Sequence, residues 1–349
     1  MTCLNALMIN NEYFTIMMNK SALYTLPVLL LFILSGCHSL GGDPEESPTL
    51  SPESVSNDIT LPKIPDSSPR VIDLAVPGTH DSGALRGGLA AQCQDLSISG
   101  QLNIGIRAFD LRLVDRYNGS GKMYIYHGII PQRMELTEDI LPVFLDFLKL
   151  HPEEYLFLSF RKEDDAKGDT QFRQAYINSL SKALSTEEVR DFLYTGNLTP
   201  ETTVRDIQGK MVILNRTTVT GEVWAHNFEG FRDNTIFECR LTNPSKPPLY
   251  LIVEDQYKVS DIVRMEDKKL AIQASLDLIA KKPDYWSITY LSGSAPAVPL
   301  AVARIVNPFA LTILSIEKPL PGGIYFMDFA GMPEARGIIK LCEINNSKL

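Results

Sequence analysis

The groups able to do chemistry recur along this chain, each straight after a short apolar run. Pro77-Gly78-Thr79-His80-Asp81-Ser82-Gly83 follows the run 71–76. In the run 108–114, Asp110 and Arg112 alternate with Phe109, Leu111 and Leu113, so in a strand both polar groups point to one face. His127 closes 123–126, Arg161-Lys162-Glu163 closes 155–160, and Asn215-Arg216 closes 211–214. Glu254-Asp255-Gln256-Tyr257 closes 250–253, and Asp328 follows 324–327. A histidine pair such as His80 and His127 suits proton transfer, since an unperturbed pKa of about 6.5 lets one be neutral and the other charged near neutrality. The remaining histidines fall outside this pattern: His38 follows Cys37, His151 precedes a proline at a helix end, and His226 reads as a loop residue.

The elements that must position these groups are legible from period and composition. The runs above, with 286–291, are four to seven residues long and rich in β-branched or aromatic types, as buried parallel strands are. Between them lie helical patterns. Thr137-Glu138-Asp139 places a cap and two acids at a helix start. Ile140, Leu141, Phe144, Phe147 and Leu148 then share one face; Phe172, Ala175, Tyr176, Ser179, Leu180 and Ala183 share another. Eight strands interleaved with helices predict an α/β fold, an irregular (β/α)8 TIM-like barrel in a single domain. The irregularity is expected because the segment between the second and third runs is too short for a helix. Barrel enzymes build their sites at the C-terminal ends of the strands, where these ionisable clusters stand.

Composition narrows the partners. The chain has 349 residues, 44% apolar content and a net charge of −9, which fits a large core. It argues against nucleic acid and against a polybasic grip on anionic lipid. The five cysteines form no CxxC pair, so Cys93, Cys239 and Cys342 are expected as buried thiols or at most one bridge. After Lys20, the apolar run 23–34 is too short to span a bilayer comfortably but suits a signal-peptide core. It ends in Leu34-Ser35-Gly36-Cys37, which resembles the bacterial lipobox, whose cysteine is diacylated. Residues 1–36 thus read as a lipoprotein signal peptide, with Met17 or Met18 as a possible start. Residues 37–69 read as lipidated Cys37 and a Pro/Ser-rich tether, and residues 70–349 as the catalytic barrel. The expected place is the bacterial cell envelope, lipid-anchored and facing outside the cytoplasm, as a monomer.

The segments VPGTHDSG, AFDLRL, YIYHG, LSFRKED, ILNR, VEDQYK and YFMDF, in that order, resemble the successive motifs of the bacterial phosphatidylinositol-specific phospholipases C and cover essentially the whole domain. The resemblance implies cleavage of phosphatidylinositol, or a related inositol phosphodiester, to diacylglycerol and inositol 1,2-cyclic phosphate. It implies His80 as base and His127 as acid, Arg112 as phosphate clamp, and Asp328 behind His80. Asp81 would sit between Arg112 and His127, and Asp110 would support His80 or a sugar hydroxyl. Lys162 or Arg161, Arg216, Asp255 and Tyr257 would contact the inositol. Calcium-dependent relatives carry acidic ligands where this sequence reads Asp110-Leu111-Arg112, so the arginine would substitute for the metal and no cofactor is expected.

The match thins at the membrane. Secreted members press aromatics into the bilayer, whereas Ala84-Leu85-Arg86-Gly87-Gly88-Leu89 has none. Trp224 reads as a loop residue that could reach a membrane and Trp286 as buried in a strand. Three other readings fit the residues less well. A metal-dependent glycerophosphodiester phosphodiesterase needs a Glu-x-Asp pair after a histidine-bearing first strand, which is missing. A catalytically inactive inositol-lipid-binding module need not keep both histidines and Arg112. A serine hydrolase lacks its G-x-S-x-G elbow.

Overall fold

The structure, a computed structural model, describes residues 68–116, 119–163, 170–243, 247–294 and 298–349. All of them fall in the compact unit Thr60–Leu349. The leader, Cys37 and nearly all of the tether lie outside the described residues, as does the side chain of Phe172.

Eleven strands form: β1 (Ala75–Thr79), β2 (Ala108–Asp115), β3 (Met123–His127), β4 (Ile130–Glu135), β5 (Leu156–Lys162), β6 (Met211–Asn215), β7 (Ala225–Glu229), β8 (Ile236–Thr242), β9 (Leu249–Glu254), β10 (Trp286–Tyr290) and β11 (Gly323–Met327). Their order is β1-β11-β10-β9-β8-β7-β6-β5-β2, and β2 pairs back onto β1, so nine strands close into a barrel. All neighbours in the ring are parallel except around β8, which runs antiparallel to β7 and to β9. Strands β3 and β4 form an antiparallel hairpin on β2 outside the ring.

Five expectations change. The run 71–76 is not one strand: Val71–Asp73 is a 3-10 turn and β1 begins at Ala75. The run 123–126 is half of the outer hairpin rather than a barrel stave. The ring has nine members because β7 and β8 were hidden, the first by His226 and Asn227, the second by the exposed Glu238 and Arg240 on its outer edge. His226 therefore lies in a strand, buried. The helix start is capped by Glu135, whose side chain accepts from Thr137 N and Glu138 N, and not by Thr137.

Two apolar layers hold the ring. Inside lie Val76, Ala108, Phe157, Val212, Leu214, Val253, Ile288, Ile324 and Phe326. Outside, Phe109, Leu111, Leu158, Ile213, Tyr325 and Met327 meet helices that contribute Phe144, Leu148, Tyr176, Leu180, Val302 and Val306. Each such side chain contributes about 1.5–3 kcal/mol by leaving water. The interior is tight: a Cβ on Gly78 would stand 2.8 Å from the Phe326 ring. Cys93, Cys239 and Cys342 are buried free thiols.

One charged pair is walled into the outer layer. Lys268 and Glu254 are both 0% exposed, and Lys268 Nζ donates to the two Glu254 carboxylate oxygens at 3.0 and 2.8 Å and to the Tyr290 carbonyl. Burial pushes the Glu254 carboxyl up, while Lys268 draws it back down. Removing one partner strands the other charge, so Lys268→Met should cost about 3–5 kcal/mol. The urea midpoint should fall accordingly and partly recover in Lys268→Met/Glu254→Leu. A single-variant loss under about 1 kcal/mol would contradict this reading.

Candidate active site

Strand alternation carries the inner layer straight into a polar cup. Stepping by two from the interior residues, Val76 and Gly78 lead to His80, Ala108 to Asp110 and Arg112, and Phe157 and Ser159 to Arg161. Val212 and Leu214 lead to Arg216, Val253 to Asp255, Ile288 to Tyr290, and Ile324 and Phe326 to Asp328. Lys162 is one residue out of step and in register with Leu113 of the outer layer. Of the alternatives Lys162 and Arg161, the fold thus turns Arg161 inward and Lys162 outward.

His80 is held at both nitrogens. Its Nδ1–H donates to Asp328 Oδ1 at 2.9 Å, and its Nε2 accepts from Arg112 Nη2 at 2.7 Å. That pattern is the neutral imidazole with its proton on Nδ1. Burial, then the charge of Arg112, holds the His80 pKa well below the usual 6.5, so the contact with Asp328 is a hydrogen bond of a neutral ring. Gln94, not anticipated from the sequence, ties this corner together: its Nε2 donates to the carbonyls of His80 and Met327 and its Oε1 accepts from Ala330 N.

Arg112 stands at the centre. Its guanidinium lies 3.6 Å from Asp81 Oδ2, 3.5 Å from Asp110 Oδ2 and 3.5 Å from Glu163 Oε2. Burial alone would lower its pKa, but the three carboxylates outweigh this and keep it charged. Asp81 also faces His127, with Oδ2 3.8 Å from Nε2. Asp81 adopts φ +43°, in the left-handed region that aspartate tolerates better than most residues. The other nitrogen of His127, Nδ1, donates to the Ala91 carbonyl at 2.6 Å. Burial lowers the His127 pKa, partly offset by that carbonyl. Asp110 touches Arg112 and accepts from Asp81 N at 3.3 Å.

Arg216 lies across the cup, 3.7 Å from Asp255, over the Phe231 ring at 4.1 Å and 3.5 Å from the Tyr290 hydroxyl. Tyr257 is further out and donates to Asp233 Oδ2 at 3.0 Å. Tyr290, edge-on to His80 at 6.1 Å, and Glu163, which accepts from Gly128 N at 2.7 Å, were not singled out from the sequence as binding groups. A tyrosine at the end of an inward-stepping strand was the available signal for the first.

Several buried oxygens here accept no hydrogen bond: both of Asp81, Oδ1 of Asp110, and Oδ2 of Asp255 and of Asp328; Arg112 Nε likewise has no acceptor. Buried polar atoms are normally paired, so such a concentration marks a place prepared for a ligand with many donors and acceptors. The Trp224 ring is 4% exposed and packed within the outer core, not displayed on a loop, which corrects the expectation placed on it.

Comparison with known proteins identifies similar sequences and folds. Residues 77–217 match the family model described as phosphatidylinositol-specific phospholipase C, X domain. The chain is 28% identical over 339 residues to a protein of Listeria monocytogenes named 1-phosphatidylinositol phosphodiesterase, covering 92% of this chain and 98% of that one. A variant of the phosphatidylinositol-specific phospholipase C from Staphylococcus aureus superposes with a TM-score of 0.65 at 22% identity, covering 79% of this chain and 94% of that chain. The Listeria monocytogenes enzyme of the same name gives 0.60 at 21% identity, with 80% and 97% covered.

Proposed function

The chain belongs to the bacterial phosphatidylinositol-specific phospholipase C family, and from that premise we propose that it cleaves phosphatidylinositol, or a related inositol phosphodiester, to diacylglycerol and inositol 1,2-cyclic phosphate without calcium. The observation that carries this is the sequence of contacts from His80 through Arg112 and Asp81 to His127, at 2.7, 3.6 and 3.8 Å.

In this reading the phosphate takes Arg112. A phosphodiester's non-bridging oxygens are stronger acceptors for a guanidinium than an imidazole nitrogen is. As they draw Arg112 off, His80 Nε2 is left with a bare lone pair beside the inositol 2-hydroxyl. His80 takes that proton, the 2-oxygen bonds to phosphorus, and the bond from phosphorus to the diacylglycerol oxygen breaks. His127 Nε2 gives its proton to that oxygen. Asp328 stabilises the imidazolium formed on His80 through Nδ1, the usual office of a carboxylate behind a catalytic histidine. Asp81 stands 3.8 Å from His127 Nε2, Glu163 favours the charged form of His127, and Asp110 balances Arg112. Arg161, Arg216 and Asp255 then meet the inositol hydroxyls, with Tyr290 and Tyr257 at its edges.

The acid limb of kcat/KM follows His80 and the alkaline limb His127. Both values lie below 6.5, His80 the lower, so the optimum should be acidic and kcat/KM should already be falling as pH rises through 6.5. A profile still rising at pH 7 would contradict this assignment.

The domain of residues 70–349 would be carried by a lipid on Cys37 through the tether 37–69, after removal of the signal peptide 1–36, as a monomer at the cell envelope outside the cytoplasm. The lipobox Leu34-Ser35-Gly36-Cys37 supports this. Cys37→Ser should block processing or release the protein from membranes while sparing activity in detergent; undiminished maturation and membrane retention would contradict it. For the activity itself, diacylglycerol release should be measured on detergent-dispersed phosphatidylinositol and phosphatidylcholine in EDTA. Release from the inositol lipid alone is expected. No release in EDTA, or equal release from both, would overturn the reading.

A further inference from the structure

One buried group beside the histidines has no use in the reaction above. Cys93 is 1% exposed, and its thiol lies within 4.8 Å of ligand atoms of Asp81 and His127. Asp81 is 0% exposed, and neither of its carboxylate oxygens accepts a hydrogen bond. His127 already donates Nδ1–H to the Ala91 carbonyl, which leaves Nε2 turned toward Asp81. A backbone carbonyl on the far nitrogen is the usual way in which a metal-binding histidine is oriented. We propose that Asp81, Cys93 and His127 form a Zn²⁺ site that shuts the enzyme off by capturing the nitrogen of its general acid.

The donor set selects the ion. One thiolate, one imidazole and one carboxylate suit zinc, whereas calcium asks for six to eight oxygens. Zinc bonds of about 2.0–2.3 Å put tetrahedral ligands about 3.5 Å apart. Atoms already within 4.8 Å need only side-chain rotations of about an ångström to close on the ion. The change in charge is small: the thiol loses one proton to solvent, so the ion adds one positive charge beside Arg112, which keeps Asp110 and Glu163 at 3.5 Å as partners. Burial and nearby carboxylates keep the free thiol protonated, consistent with its inertness until a metal arrives. The neighbouring set of His80, Cys93 and Asp328 also lies within 4.8 Å, but both nitrogens of His80 are engaged, by Asp328 and by Arg112.

The test uses the full chain with Zn²⁺ and Co²⁺ as probes. Zn²⁺ should inhibit phosphatidylinositol cleavage reversibly, with EDTA restoring full activity. Its apparent affinity should rise about tenfold per pH unit between the pKa values of His127 and the thiol, where one proton is released per ion, and more steeply below that range, where the His127 Nε2 proton must leave as well. Outer-shell partners alone are worth about 10–100-fold in metal affinity, so Cys93→Ala and the near-isosteric Cys93→Ser should each raise the half-inhibitory Zn²⁺ at least about tenfold. Both should keep wild-type activity in EDTA. Co²⁺ should give a near-ultraviolet thiolate-to-metal absorption in the wild type that both variants lose. This arm reads binding without turnover, so it stands or falls apart from the proposed activity. No such absorption in the wild type, or inhibition unchanged in both variants, overturns the proposal.

Discussion

His127→Ala should lower turnover on phosphatidylinositol by at least about 100-fold, and most of that loss should vanish on an inositol phosphodiester with a low-pKa phenolic leaving group. The diacylglycerol oxygen departs as a poor leaving group unless it is protonated as its bond to phosphorus breaks. A phenolate with a low pKa leaves without that proton, so the acid becomes dispensable. His80→Ala should lose at least about 100-fold on both substrates, because the 2-hydroxyl must still be deprotonated whatever departs. The asymmetry follows from the two environments. His80 presents a lone pair, with its proton fixed on Nδ1 toward Asp328, whereas His127 has its Nδ1 on a carbonyl and its Nε2 facing a carboxylate. Rescue of His80→Ala instead would mean that base and acid are reversed.

Arg112→Lys should cut turnover by about 10²–10³-fold, the size of effect seen when a preorganised donor to a developing anion is removed. Lysine keeps the charge but not the planar fork that can hold His80 in the free enzyme and then take the phosphate on two prongs. The variant also leaves Asp81, Asp110 and Glu163, all within 3.6 Å of the guanidinium, with a compact ammonium at best. Its urea midpoint should therefore be measured beside its kinetics, to separate lost catalysis from a loosened site. Calcium and EDTA should leave the wild type unchanged. A strong calcium requirement would overturn the role given to Arg112.

Much of the site was legible because a barrel turns strand alternation into geometry. The spacing Asp110-x-Arg112 fixed one face, and the end of β2 put that face in the cup. The order of polar residues after successive apolar runs likewise placed His80, Arg216, Asp255 and Asp328 at one rim. What was not legible depended on contacts between distant segments. Lys162 and Arg161 are adjacent and equally plausible until the register with β2 shows which one follows Phe157 inward. Gln94 gives no signal by itself, since its value lies in bridging the ends of β1 and β11, the second of them 233 residues from Gln94 in sequence. Trp224 looked exposed because it follows the polar turn Thr220-Gly221-Glu222, yet its ring is taken up by the outer core. β7 and β8 escaped notice because one carries an interior histidine and asparagine and the other a charged outer edge.

The most direct test of the account is phosphorus NMR of the reaction on phosphatidylinositol in detergent, with EDTA present throughout. Attack by the substrate's own 2-hydroxyl, with His80 as base, predicts that the five-membered cyclic phosphate appears first and that any inositol 1-phosphate comes later from it. Inositol 1-phosphate formed directly, with no cyclic phosphate at any time, would mean that water is the nucleophile and would contradict the mechanism.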